Sequence, residues 1–449
     1  MAGKRPKRGG RVTPKGGPGG RRGAERLTAA ERAGLDEIFA RLLTSARRDL
    51  PDGTSPFEVE AWASHLWSVW AGQHLDQMDP VAVFAGGLIG FAADQATPDA
   101  LMVLRALGAV ALEPYRSQAR RAADRLADAG VAEPSWSEDI GTGAETAVSA
   151  WLSYDPVDDD GVSVVVGFDG PSGPHTLGVY IDHNLGGIAK DGFAVPAPVD
   201  DVLDRLRQND ELASVQYRQI AVAEAAARWR MALELADLTS HPAVSADLAH
   251  LRALLTARLS TMPARGRGPA PGRAEMDSDE RDRLLAEFLE SDEATGLWDD
   301  DIDEDDIETL AVQALSFSLD YVAGTSLRFS PVMVEMFCLD WAPRKIPLGE
   351  DGLTLLPDVL AAWIRFVGRR RGIPEASMAD AVDAVDGYAA EMLELARDPA
   401  NWGPAKTIAL AVRERGIDIT NQGALEDLVA EINRNGGIDV LADSLIERR

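Results

Sequence analysis

The sequence predicts a mainly α protein of the α+β class, with a small antiparallel β-hairpin or meander in its first half and an all-α second half. Apolar residues recur at three- and four-residue steps over most of the 449-residue chain, which is typical of amphipathic helices. Only within 162–195 do apolar residues alternate with the period of two that strands require. A Pro- and Gly-rich stretch between the two halves has the composition of a linker.

Length and composition divide the chain into segments. One hydrophobic core supports roughly 250 to 300 residues, so two folded modules are expected here. The first 23 residues are dominated by Gly, Pro, Lys and Arg and contain no aromatic residue, a composition that cannot bury enough apolar area to fold. The predicted segments are a disordered basic tail (1–23), a helical module (24–260) with an inserted β-hairpin (about 162–195), a Pro/Gly linker (261–276) and an acidic all-α module (277–449).

Capping patterns mark the beginning of the first two helices. Thr28 stands three residues before Glu31, which is a capping box, and Ser55 stands before Pro56 at the start of the next helical pattern. The further predicted helices are 80–94, 98–112, 115–129, one beginning at 198, 217–238, 244–259, 307–322, 331–339, 357–370, 377–396, 405–415 and 424–433.

The predicted hairpin pairs 162–169 with 175–183. The connector Gly170–Pro174 cannot be helical, and 187–195 is a candidate third strand. Period-two alternation predicts that one face of the two strands packs on helices. That face carries Val164, Val166, Leu177, Val179 and Ile181.

Charge is distributed unevenly along the chain. The net charge is −28, yet residues 1–26 hold nine basic residues against Glu25 alone. We expect the acidic body to repel nucleic acid and the basic tail to attract it weakly and without sequence preference. The residues of this candidate nucleic-acid arm are Lys4, Arg5, Lys7, Arg8, Arg11, Lys15, Arg21 and Arg22.

The cysteine content and the most apolar segment indicate a cytoplasmic protein. Cys338 is the single cysteine, so no intrachain disulfide can form, and its apolar neighbours predict a buried, inert thiol. The segment 81–93 has 13 residues, short of the roughly 20 that span a bilayer, so we expect no membrane contact. The dominance of Ala, Arg, Gly and Asp with only six lysines indicates a GC-rich bacterial genome.

The candidate catalytic residues are Asp182, His183, Lys190 and Asp191. A histidine flanked by carboxylates at a strand end could form an acid/base pair or half of a metal site. Asn184 and the following Gly-Gly pair are also what a tight turn requires, which favours a structural hairpin. The other five histidines show no ligand spacing with His183, and we predict neither a metal site nor a cofactor.

Basic residues cluster at two places in the acidic second half. Clustered arginines beside Trp341 and Trp363 suit a planar anion, although such clusters more often neutralise acidic groups of the same fold. The candidate anion-binding residues are Arg344, Lys345, Arg369, Arg370 and Arg371. The acidic run 299–306 fits no EF-hand register and reads as solvated charge.

Four stretches resemble segments of an uncharacterised family of bacterial hypothetical proteins. They are Ala129–Trp136, Asp182–Gly187, Leu339–Lys345 and Asp398–Lys406. The resemblance implies a shared fold. It implies no site residues, because that family has no assigned activity.

Three hypotheses of function follow. The first is a non-catalytic interaction or regulatory protein of the bacterial cytosol that binds another protein. The second is a nucleic-acid-associated protein that uses the basic arm, and the third is an enzyme of unrecognised class with a site near the 182–191 hairpin. A deep pocket lined by the four candidate catalytic residues would favour the enzyme, and a hairpin packed flat on helices would favour the first hypothesis.

Overall fold

The computed structural model describes residues 28–70, 80–209, 214–239, 243–266, 276–298, 302–322, 327–418, 421–434 and 441. Within these ranges the chain is mainly helical and contains one five-stranded antiparallel sheet, so the predicted fold class is confirmed. The basic tail and most of the Pro/Gly linker lie outside the described residues. No helix in the described ranges is long and apolar enough to cross a membrane.

Five helices precede the sheet and share a core. The predicted capping box at Thr28 is present, and the structure adds a second one at Ser55: the Thr28 and Ser55 hydroxyls accept from the third helical N–H while Glu31 and Glu58 accept from the cap residues. The helices are α1 (Ala29–Asp49), α2 (Pro56–Ser68), α3 (Gly87–Gln95, preceded by a π-helical turn at Ala82–Gly86), α4 (Pro98–Val110) and α5 (Tyr115–Asp128). The side chains of their core include Phe39, Trp67, Leu88, Leu101, Leu104 and Leu126.

The sheet has the strand order β4-β3-β2-β1-β5, with all neighbours antiparallel. The predicted hairpin forms β2 and β3 with Val164 opposite Val179 and Val166 opposite Leu177, and the candidate third strand forms β4. The strands are β1 (Thr146–Tyr154), β2 (Gly161–Asp169), β3 (His175–Asp182), β4 (Ile188–Val195) and β5 (Gln216–Ile220).

Helices cover the two faces of the sheet unequally. The inner face, which carries Val164, Val166 and Val179, packs against α7 (Val222–Leu238) and α8 (Ala246–Thr261) in a continuous core. The Nε1–H of buried Trp229 on α7 donates to the Val164 carbonyl at 3.1 Å. The outer face carries Val165 and is covered by the short helix α6 (Val199–Arg207).

The second half is all-α, as predicted. Its helices are α9 (Ser278–Leu289), α10 (Asp292–Thr295), α11 (Glu304–Ser316), α12 (Pro331–Glu335), α13 (Ala342–Lys345), α14 (Glu350–Arg371), α15 (Glu375–Arg397), α16 (Pro404–Glu414) and α17 (Gln422–Arg434), with π-helical turns at Phe317–Tyr321 and Met336–Trp341 and a 3₁₀ turn at Pro399–Asn401. Phe288, Phe317, Phe337 and Trp363 fill its core. Cys338 is buried there, and burial raises the pKa of its thiol to about 12, so it is an unreactive side chain.

Two predicted helices begin at other residues than expected, and one further strand is present. The helix expected over 217–238 begins only at Val222, because its first residues pair with β1 as strand β5. Strand β1 was not predicted at all. The helix expected from Pro357 begins at Glu350, where Glu350 and Asp351 favour the positive end of the helix dipole, and Pro357 lies inside it.

Candidate functional site

The connection between β3 and β4 holds the candidate catalytic residues. Asp182 ends β3 and is buried; its Oδ1 accepts from the Leu185 N–H at 2.9 Å and its Oδ2 accepts from Lys190 Nζ at 2.8 Å. Gly187 has a φ of 84°, a left-handed conformation that glycine adopts without strain, and its N–H donates to the Asp182 carbonyl. Asp182 and Lys190 therefore hold the turn together.

His183 is tied to the acidic connection between β1 and β2. Its Nδ1 lies 3.0 Å from both the carboxylate and the carbonyl of Asp159, and because both partners are acceptors, Nδ1 carries a proton. Burial lowers the pKa of His183, but the hydrogen bond and charge of Asp159 outweigh it and raise the pKa above its ordinary value. Burial by itself raises the pKa of Asp159. The hydrogen bond and charge of His183 and the charge of Arg328 outweigh burial, so the pKa of Asp159 lies below its ordinary value.

Asp191 lies on the edge strand β4, and its hydrogen-bond partners differ from those of the other three candidates. Its Oδ1 accepts from the Gly192 N–H and from the Ser245 hydroxyl, and Ser245 is the N-cap of α8. The structure therefore places the four candidates in one turn region but uses them in three separate contacts. Among the described residues, none of the four lines either cavity beside this turn.

The most connected polar side chain near the turn is Arg328, which the sequence analysis did not single out. It is 2% exposed and comes from the second half of the chain. Its Nη1 donates to the Asp158 carbonyl at 2.7 Å and to Asp160 Oδ1 at 2.9 Å, and its Nη2 donates to Asn184 Oδ1 at 2.6 Å. We call the set Asp160, Asn184, Arg328 and Ser330 the joint, because it connects the sheet to the second half.

Ser330 and Asn184 complete the joint. The Ser330 hydroxyl donates to Asp160 Oδ1 at 2.6 Å while its oxygen caps α12 by accepting from the Met333 N–H. The Asn184 amide donates to the same carboxylate oxygen at 2.7 Å. One oxygen of Asp160 thus receives three charge-assisted or neutral hydrogen bonds, which fixes the position of α12 against the sheet.

Asp158 stands beside the joint with its carboxylate in no hydrogen bond among the described residues. Burial raises its pKa to about 6, and the charges of Asp155 and Asp160 add to the effect. Its side chain borders two cavities. One is a narrow space of about 20 Å³ that it shares with Arg328 and Arg371, and the other is a cleft of about 320 Å³ on the outer face of the sheet.

A second polar cluster is buried between α2, α8 and the sheet. Arg258 donates through Nη2 to Glu60 and through Nε to His175 Nε2 at 2.9 Å. His175 Nδ1 lies 2.8 Å from the Gly173 carbonyl, so the proton is on Nδ1 and the ring is neutral; burial and Arg258 lower its pKa. The ring stacks on Phe168 at 5.4 Å. These residues connect α2 and α8 to the sheet, and they do not line the two cavities described above.

The candidate anion-binding residues are spread over several contacts. Arg344 pairs with Asp340, Arg369 makes two hydrogen bonds to Glu293, and Arg370 pairs with Glu287. Lys345 is exposed, and Arg371 borders the narrow cavity near Asp158, where burial lowers its pKa. An anion site on these residues stays a prediction. The candidate nucleic-acid arm lies outside the described residues.

Comparison of the chain with protein-family models, with curated proteins and with solved structures finds no match in any of the three. In the described ranges, no group of three or more His, Cys, Asp and Glu side chains is arranged to hold a metal ion.

Proposed function

We propose that the chain is a non-catalytic interaction or regulatory protein of the bacterial cytosol whose partner is another protein. One observation carries this proposal: the side chains with the most catalytic potential are engaged in holding the turn and in binding the connection between β1 and β2. Asp182 binds Lys190, and His183 binds Asp159. A general acid or base has to reach a substrate in a cavity, and the described cavities beside the turn have other linings.

The joint supports a regulatory role. It connects the sheet and the helices of the second half through a few directional hydrogen bonds centred on Arg328. Such a contact has two discrete arrangements, made and broken, and a partner that favours one of them shifts the balance between the two halves. The single buried cysteine fits a reducing cytosol.

Two experiments test the proposal. In the first, the wild-type protein and an Asp182→Asn/His183→Gln double variant are incubated with a metabolite extract of bacterial cells, and mass spectrometry follows the extract over time. We expect the same composition with both proteins. A metabolite that only the wild type consumes would establish an enzyme.

The second experiment addresses binding. The tagged wild type and an Arg328→Ala variant are expressed in the native cell, crosslinked and captured by the tag. Quantitative mass spectrometry then measures the proteins that are captured with each. We expect at least one protein to be captured in near-stoichiometric amount with the wild type and at a changed amount with the variant. If no protein is captured above the level of a tag-only control, the interaction hypothesis is wrong.

A nucleic-acid role for the basic arm is a second candidate. The nine basic residues before position 27 are the observation that favours it. They would bind phosphates electrostatically, without base stacking, because the first 23 residues contain no aromatic side chain.

A further inference from the structure

The outer face of the sheet carries a cleft that α6 leaves open. α6 packs Val199 and Leu203 against Val165, which covers one part of this face. Beyond the helix, a cleft of about 320 Å³ remains. Its volume is at the lower end of the range of small-molecule sites.

The walls of the cleft are mainly apolar and aromatic. Phe193 lies across Gly178 on the neighbouring strand, where any Cβ would collide with the ring, so the glycine lets the ring lie close to the sheet. Tyr180 and Leu206 provide further wall, and Ser163 on the central strand β2 also lines the cleft. Phe193 and Tyr180 are half-buried and keep part of their surface toward the cleft.

The rim of the cleft is acidic. Asp155, Asp158 and Asp160 border it, and no Lys, Arg or His side chain is among the described residues that line it. The charge of Asp160 is balanced by Arg328, and Asp155 Oδ1 accepts from two backbone N–H groups. The carboxylate of Asp158 accepts no hydrogen bond among the described residues, and the nearby charge of Arg328 only partly offsets it, because Arg328 is already paired with Asp160. The rim therefore holds an excess of negative charge.

The unbalanced charge indicates which ligands suit the cleft. A carboxylate that is removed from water without a partner is unfavourable, and a cation placed against it removes that cost. The aromatic rings favour a cation as well, because the face of a ring is negative. An anion would be repelled. A bare metal ion lacks a grouped set of ligands here in the described residues.

We propose that this cleft binds a small organic cation, with an ammonium or guanidinium group against Asp158 and an apolar body between Tyr180, Phe193 and Leu206. The inference depends on the cleft alone and does not require the proposed protein partner. Because Asp158 is two residues from Asp160 and its carbonyl accepts from Arg328, a bound cation lies next to the joint between the two halves.

The test uses three probes of equal length and different charge. Hexylammonium, hexanol and hexanoate are titrated into the full-length protein at pH 7.5, and binding is measured by calorimetry. We expect hexylammonium to bind at least tenfold more tightly than hexanol, and hexanoate not to bind. Equal affinity for hexylammonium and hexanol would reduce the cleft to an unspecific apolar cavity, and no binding of hexylammonium would also overturn the proposal.

Matched variants locate the binding. Asp158→Asn removes the charge at the rim and Ser163→Leu fills part of the cleft, whereas Asp200→Asn removes an exposed carboxylate of α6 that does not line the cleft. We expect the first two variants to lose at least tenfold in affinity for hexylammonium and Asp200→Asn to retain wild-type affinity. An equal loss in all three variants, or no loss in Asp158→Asn, would show binding elsewhere. Thermal unfolding verifies that each variant is folded, and Asp158→Asn keeps the test decisive if Ser163→Leu does not fold.

Discussion

Arg328 and Asp160, 168 positions apart in the chain, form an ion pair with an Nη1–Oδ1 distance of 2.9 Å. Arg328 also binds the Asp158 carbonyl and the Asn184 side chain, so its guanidinium is enclosed by acceptors of the sheet. A charged group in this position has no solvent to replace a lost partner. The pair is therefore one of the contacts that hold the second half against the sheet.

Replacement of Arg328 by Ala is expected to lower the free energy of unfolding by about 3 to 5 kcal/mol, because it leaves the half-buried Asp160 carboxylate without its cation. The matched control is Arg344→Ala, which removes a guanidinium that pairs with Asp340 at the surface. Exposed pairs contribute less than about 1 kcal/mol. Urea unfolding of the two variants and the wild type measures both changes. Similar values for the two variants would contradict the role of the joint.

Asp158→Asn is expected to stabilise the protein at pH 8 and to leave its stability unchanged near pH 4. The pKa of Asp158 is raised from 3.8 to about 6 in the folded state, so the folded protein holds the proton more tightly than the unfolded chain. Stability from this group is therefore present below pH 4 and is lost as the pH rises to about 6. The amide mimics the protonated carboxyl at every pH.

The melting temperatures of the wild type, Asp158→Asn and Asp200→Asn, measured from pH 4 to pH 8, check this prediction. The difference between the wild type and Asp158→Asn is expected to appear between pH 4 and pH 6 and then to stay constant. A constant difference over the whole range would mean that Asp158 titrates normally. Asp200→Asn, on the exposed side of α6, controls for the general effect of lowering the net charge.

The sequence predicted those elements whose conformation depends on residues that are close together in the chain. The Thr28–Glu31 capping box is formed within four residues, and the alternation in 162–183 places Val164 and Val179 opposite each other in one hairpin. Strand β5, in contrast, is a short and largely polar strand at the edge of the sheet, and among the described strands it pairs with β1 alone. Its conformation depends on pairing with β1, and no periodicity within its five residues indicates that partner.

The candidate site was predictable only in part for the same reason. Asp182, His183 and Lys190 were found because they are close in sequence and have ionisable side chains. Arg328 was not found, since a lone arginine between apolar residues becomes a joint only when the fold brings Asp160 and Asn184 to it. The cleft likewise combines residues of four strands and a helix, which no linear pattern brings together.

Glu60 and Arg258 are expected to show strong energetic coupling in a double-mutant cycle. Both are almost fully buried, and Glu60 also accepts from the Gly141 N–H. Glu60→Leu or Arg258→Met alone leaves one buried charge and is expected to cost about 3 to 5 kcal/mol. The double variant removes both charges and is expected to cost clearly less than the sum. Urea unfolding measures the cycle, and additive costs would contradict a direct pairing.

Limited proteolysis is expected to cut the linker first, at Arg265, Arg267 or Arg273, and to leave two stable fragments. The joint adds a second expectation: the wild-type fragments remain together on gel filtration, whereas those of Arg328→Ala separate, because the hydrogen bonds of Arg328 to the sheet are lost. Early cuts within 80–209 or 327–418 would mean that the boundary is wrong. Separation of the wild-type fragments would mean that the joint is too weak to hold the halves.

The basic arm is expected to bind DNA weakly, without sequence preference and with a steep dependence on salt. It carries nine basic residues before position 27, whereas the whole chain has a net charge of −28, so the acidic body competes with external phosphate for the arm. The tether keeps the body at a high effective concentration, and each neutralised phosphate releases counterion, so added salt weakens binding to DNA.

The measurement compares the full chain with a truncated chain that begins at Ala24, in DNA titrations between 50 and 200 mM salt, a range over which several phosphate contacts change affinity by roughly a thousandfold. We expect the full chain to bind in the weak range typical of unspecific association and the truncated chain not to bind. Replacing Arg5, Arg8, Arg11 and Arg22 with Lys retains the charge and is expected to retain the affinity, because no planar contact to bases is involved. Equal affinity of the full and truncated chains would exclude the arm from DNA binding, and tight binding to one sequence would show that the arm reads bases rather than phosphates.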